Sequence, residues 1–154
     1  MSAPDRDVLV DRADIHDLLV RLVLAQDARD WDGLAACFDP DASYTHPGGV
    51  LAGVDAIVER SRNALAPLDA SQHLLGSILV DVDGDEATAV SYFQAQHIRT
   101  GLDAGERYAI AGTYRDRLVR SGGGWRIAQR TQEYTWREGN PEVIRRGPSA
   151  SRPA

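Results

Sequence analysis

The sequence predicts an α+β domain, with its helices first and an antiparallel meander after them. Three observations carry this. Apolar residues recur at helical spacing as far as Leu65, and the pattern changes to period two after Pro67. Two turn signals, Asp83-Gly84-Asp85 and Gly122-Gly123-Gly124, then divide the second half into hairpins. At 154 residues the chain is the size of one domain that can bury a core or enclose a small cavity. Residues 1–137 are assigned to that domain and 138–154 to a mobile tail.

Asp7 or Asp11 can cap a first helix of about twenty residues. Asp30-Trp31-Asp32-Gly33 breaks it and opens a short second helix through Phe38. Asp39-Pro40-Asp41 is turn chemistry, followed by a brief strand from Ala42 to His46 and a loop, Pro47-Gly48-Gly49. Gly53 to Leu65 reads as a third helix, with Val54, Ile57, Val58 and Leu65 on one face and Glu59, Arg60 and Arg62 toward water. Gln72 to Val82, Ala87 to Arg99, Tyr108 to Arg120 and Trp125 to Arg137 are the strands. A sheet of this kind covers one face with the helices, and if it curves it encloses a pocket.

Composition excludes several function classes. Net charge is −6, which argues against nucleic acid or an anionic membrane as partner. Every basic residue is arginine, so lysine Schiff-base chemistry is out. Cys37 is the single cysteine, which rules out an internal disulfide and a thiolate zinc site and leaves packing as its role. No apolar run approaches the roughly 18 to 20 residues that span a bilayer. The N-terminal residues lack the basic-then-apolar design of a signal peptide, and a cytoplasmic location is expected.

Asp27 stands out in the first helix. At about 100° per residue it falls on a stripe with Leu9, Ala13, Val20, Val23 and Leu24, with His16 also on it. A carboxylate facing a core costs several kcal/mol unless a partner receives it. A last turn open to water is the bland explanation; the sharper one is that Asp27 holds a histidine over a pocket. His73 shares a strand face with Leu75 and Leu79, and His97 shares one with Phe93 and Ala95. The hairpin at Asp83-Gly84-Asp85 puts the two histidines nearly opposite, to within about two residues. Either alone could be a satisfied core histidine; together with Asp27 they point to a site.

Histidine is the natural base near neutral pH, and a carboxylate on its other nitrogen fixes its tautomer. No Gly-x-Ser-x-Gly elbow supplies a nucleophile, so proton abstraction fits better than acyl transfer. Tyr44 is the preferred phenol for polarising a carbonyl or assisting a leaving oxygen, against an ordinary strand aromatic. Asp27, His73 and His97 resemble a two-histidine-one-carboxylate metal set in type, but no ligand-motif spacing supports one, so neither a metal nor a cofactor is expected. Gly122-Gly123-Gly124 is followed by a strand and not a helix, which makes it a turn and not a phosphate loop.

With Asp27-Ala-Arg-Asp-Trp31-Asp, Gln72-His73-Leu-Leu-Gly76 and the hairpin from Gly112 through Ile127 in place, the chain resembles the SnoaL-like branch of the nuclear transport factor 2-like superfamily over about residues 7 to 137. The resemblance is closest to scytalone dehydratase-like and hexachlorocyclohexane dehydrochlorinase-like enzymes. It implies a cone-shaped α+β barrel around a mostly apolar cavity, with His73 as general base oriented by Asp27. It further implies Tyr44 and His97 as assisting groups. Tyr92, Ile98, Tyr134 and Trp136 all lie on strands and cannot all line one cavity, so a homo-oligomer is expected, which the resemblance suggests is a trimer or a dimer. Gln26 and Tyr114 occupy positions where scytalone dehydratases have Tyr and Asn; with Phe93 they are expected to touch the substrate, which is therefore not carried over. The expected activity is a dehydratase-type elimination on a small hydrophobic, cyclic or polyketide-like molecule. An isomerase or cyclase begins with the same proton abstraction, and a non-catalytic binding or assembly module is the alternative of another class.

Overall fold

The computed structural model describes residues 6–145. Its elements run α1 (Arg6–Ala28), α2 (Trp31–Ala36), β1 (Phe38–His46), β2 (Gly49–Ala52), α3 (Val54–Leu65), β3 (Ala70–Asp83), β4 (Glu86–Ile98), β5 (Arg107–Ser121), β6 (Gly124–Gly139) and a 3-10 turn, Pro141–Ile144. Three helices pack on one six-stranded sheet of order β2-β1-β6-β5-β4-β3, which curves like a cone without closing. Every neighbouring pair is antiparallel except β1 and β6, which run parallel. None of the described helices is long and apolar enough to cross a membrane.

The buried stripe of α1 differs from the one expected. Ile15, Leu18, Leu19, Leu22 and Val23 are buried, whereas Leu9 and Leu24 are exposed, as are Ala13 and His16. The reason is that α1 is apolar on more than one side, and packing on the sheet selects which side is buried. Asp11 is not a cap either. It is buried inside α1, where its two oxygens accept from Arg120 at 2.8 and 2.6 Å and from the Trp125 indole at 3.0 Å. That three-way contact pins α1 to the β5–β6 hairpin. Asp30 does cap α2, accepting from the Gly33 N–H at 2.9 Å.

Two short segments differ from the expectation. β1 begins at Phe38, with an irregularity before Ser43 that absorbs the Asp39-Pro40-Asp41 bend. Gly49, expected to close the loop, instead opens a four-residue edge strand, Gly49–Ala52, paired with β1 and absent from the expected elements. Four residues between glycines are too few to show a period. The chain also remains structured past residue 137: β6 continues to Gly139, and Val143 is fully buried against the Leu65–Ile110 cluster. The Asn140 side chain accepts from the Glu142 N–H and donates to the Gly105 carbonyl, which fixes that turn. Residues 146–154 of the expected tail lie outside the described residues.

β3 carries a bulge between Gly76 and Leu79, where Ser77 takes φ 49°. Before it His73 and Leu75 face inward; after it Val80 does, and Leu79 is turned out to solvent. His73 and Leu79 therefore do not share a face. In the middle of the sheet, β5 and β6 shift register between Ala111 and Gly112. A Cβ at Gly112 would meet the Glu133 carbonyl oxygen at 1.9 Å, so only glycine permits this approach.

Candidate active site

Asp27 is the penultimate residue of α1, and His73 lies near the start of β3. His73 pairs with Ala95 and Ser71 with His97, so the two histidines sit two residues off directly opposite. Their rings meet edge to face, with centroids 5.6 Å apart. The His73 Nδ1–H donates to Asp27 Oδ1 at 2.7 Å, and the His73 backbone N–H donates to Oδ2 at 2.8 Å. Ser71 Oγ donates to the same Oδ1 at 2.9 Å and accepts from Arg29 Nη1 at 2.8 Å. Arg29 also donates to the Gln26 and Asp27 carbonyls, closing the helix end from a left-handed residue, φ 59°. Only 6% of the His73 side chain is exposed.

Electrostatics follow from these contacts. Burial alone pushes the Asp27 pKa up, but the bonds from His73 and Ser71 outweigh it and hold the carboxyl below its ordinary value. Asp27 is therefore ionised at neutral pH and fixes the proton of His73 on Nδ1, leaving Nε2 as the basic atom. His97 is pushed down to about 4, chiefly by burial and secondly by His73. Its Nδ1–H donates to the Tyr108 carbonyl at 3.0 Å. At neutral pH His97 is uncharged, and its Nε2 can only accept.

His73 and His97 open on a cavity of about 60 Å³, also lined by Gln26, Tyr44, Phe93 and Tyr114. A cavity of that size suits a few waters or a compact ligand. Phe93 and Tyr114 stack at 4.3 Å, and Arg130 lies 4.0 Å over the other phenol face. Burial raises the Tyr44 and Tyr114 pKa values, so both hydroxyls are protonated donors at neutral pH. Six of the seven residues singled out in the sequence thus line one cavity, and Asp27 backs His73 from behind. A larger concavity of about 620 Å³ lies between α1, α2 and the β5–β6 turn, and none of these residues reaches it. Among the described residues no group of three His, Cys, Asp or Glu side chains is placed to hold a metal ion.

The SnoaL-like domain model matches residues 7–131. The chain belongs to the SnoaL-like family. Among its relatives is an uncharacterized protein of Mycobacterium tuberculosis, Rv2910c, 34% identical over 128 residues that cover 79% of this chain and 84% of that one. The terrestric acid biosynthesis cluster protein E of Penicillium crustosum is 31% identical over 94% of this chain and 99% of its own. Among solved structures, hexachlorocyclohexane dehydrochlorinase LinA-type3 from Novosphingobium barchaimii superposes with a TM-score of 0.78 at 20% identity. The match covers 94% of this SnoaL-like chain and all of that one, and it shows the shared fold.

Several residues of the site were not found from the sequence. Ser71 and Arg29 each stand two positions from a member of the pair, and Ser71 shares His73's strand face; that i, i+2 spacing was the available signal. Arg60, expected to point to water, instead lines the cavity, with its guanidinium 5.5 Å from the Tyr44 ring. Arg130 and Asp116 form a bidentate pair at 2.6 and 2.8 Å, with side chains 1% and 0% exposed. Burial opposes the Arg130 charge, but Asp116 outweighs it and raises the guanidinium pKa. Charged residues within strands read as exterior positions, so nothing in the sequence pointed inward.

Proposed function

We propose that this protein is a cofactor-independent enzyme that removes a carbon-bound proton from a small, largely apolar cyclic substrate and expels hydroxide, a dehydratase-type elimination. The observation that carries it is the contact of Asp27 with His73 Nδ1, which fixes the ring at an aromatic-walled cavity and leaves Nε2 as the nitrogen free to meet a substrate. His73 Nε2 takes the proton as the C–H bond breaks. The electron pair forms the new C=C bond as the C–O bond breaks. The leaving oxygen takes a proton back from the His73 imidazolium and departs as water. Tyr44 donates a hydrogen bond to the oxygen on which charge develops; its raised pKa makes it a good donor and a poor source of a whole proton. His97 Nε2 accepts from the leaving hydroxyl and orients it. The test is incubation with a panel of cyclic β-hydroxy ketones, half of them bearing a carboxylate remote from the reacting carbons, read by mass spectrometry. Loss of one water mass that requires His73 is expected; panel members left unchanged, or consumed equally by His73→Ala, would sink the reading.

Asp27→Asn keeps the shape but offers an amide where His73 needs a carboxylate. Turnover is expected to fall by about 10- to 100-fold, far more than substrate affinity. Equal turnover by Asp27→Asn and wild type would reduce Asp27 to a structural contact.

The outer sheet face supports a homo-oligomer. Leu74, Tyr92 and Trp136, on β3, β4 and β6, are 60%, 58% and 43% exposed on that face. Burial of the patch between copies is the simplest remedy, with cyclic symmetry. Sedimentation at micromolar concentration should show a dimer or trimer, and Tyr92→Glu should shift it to monomer. A wild-type monomer at that concentration would rule the assembly out.

A further inference from the structure

Arg60 is a charge in an otherwise neutral cavity. It projects from the middle of α3, half-buried, among Tyr44, Tyr114, Gln132 and Tyr134, and no Asp or Glu lines the same space. Among the described residues no carboxylate lies within ion-pair distance of it, in contrast to Arg62 on the next turn face, which pairs with Glu59 at 3.4 Å. Its polar contact is a long one, 3.5 Å from Nη2 to the Gln132 Oε1. A guanidinium has five N–H donors in a planar fork, so most of its bonding capacity is unused. Tyr44, Tyr114 and His46 all feel its charge. A half-buried cation loses hydration without a compensating anion, and such a position is costly unless a ligand supplies one.

A second observation also calls for a polar guest. The Gln26 Oε1 is buried at the same cavity with no hydrogen-bond partner. An unmet acceptor costs about 1–3 kcal/mol in general. The pattern, then, is an aromatic slot with a cationic fork and an open acceptor.

We propose that the cavity takes a compact organic anion, with Arg60 binding its acidic oxygens in a forked, charge-assisted contact. The inference rests on this cavity being the substrate site and names the substrate class: a planar or small acid, not a neutral hydrocarbon-like molecule. An acid held at Arg60 is anchored through a group that does not react, and its carbon skeleton lies along Phe93 and Tyr114 toward His73.

The test is binding of two isosteric pairs, benzoate against benzamide and acetate against acetamide, followed by NMR titration of the full chain. At least one acid should bind about tenfold or more tightly than its amide, as a charge-assisted bond predicts. Arg60→Gln should erase that preference, and Arg60→Lys should retain part of it. Equal affinity for both members of each pair, no saturable binding of either acid, or a preference that survives Arg60→Gln would overturn the proposal. Binding is read without turnover, so a His73→Ala variant that still prefers the acid would separate loss of the elimination from loss of the anion site.

Discussion

His73→Ala is expected to lower turnover by about 10²- to 10⁴-fold, the usual contribution of a positioned proton transfer. The fold should survive the change. Asp27 would still accept from Ser71 Oγ and from the backbone N–H of residue 73, so its charge is not stranded. Steady-state kinetics on a converted panel member, with circular dichroism as the control for folding, checks this. Activity within tenfold of wild type would remove His73 from the role of base, whatever the elimination turned out to be.

The largest effect on stability is expected at Asp116. Its carboxylate meets Arg130 through two short bonds in a place closed to water. A surface pair of this type is worth little, but removing one partner of a buried pair strands the other charge. Asp116→Ala should therefore cost about 3–5 kcal/mol, read as a drop in the urea midpoint. The double change Asp116→Leu with Arg130→Met should recover most of that stability, because it removes both charges together. A loss below about 1 kcal/mol for the single change would mean that water solvates Arg130 once Asp116 is gone.

The helices and long strands were legible because burial on one side imposes a period, and both periods are present in the sequence. The meeting of Asp27 with His73 was legible too, yet the stripe used to reach it was mostly the exposed side of α1. Its outcome depended on Asp27 lying at the helix end, where a side chain can reach the sheet from the flank of the buried face. Arg60 was not legible. It stands between Glu59 and Arg62, a setting typical of a solvated face, and only the curvature of the sheet brings that flank of α3 over a cavity. Arg130 and Asp116 were hidden for the complementary reason: each looks like an exterior residue until its partner on the next strand is known. β2 had no signal beyond its glycines.

The bulge in β3 has a consequence for how this strand can vary. Inward positions are odd-numbered on the His73 side of Ser77 and even-numbered at Val80, beyond it. A perfectly regular strand would force one parity on both halves, so either the imidazole or Val80 would face the wrong way. The bulge acts as a phase adjuster. Insertions or deletions at the Gly84 hairpin change only the half beyond it, and the imidazole keeps its heading. The hairpin end of the sheet is thereby free to drift in sequence and length, while the half that carries the base stays in step with α1.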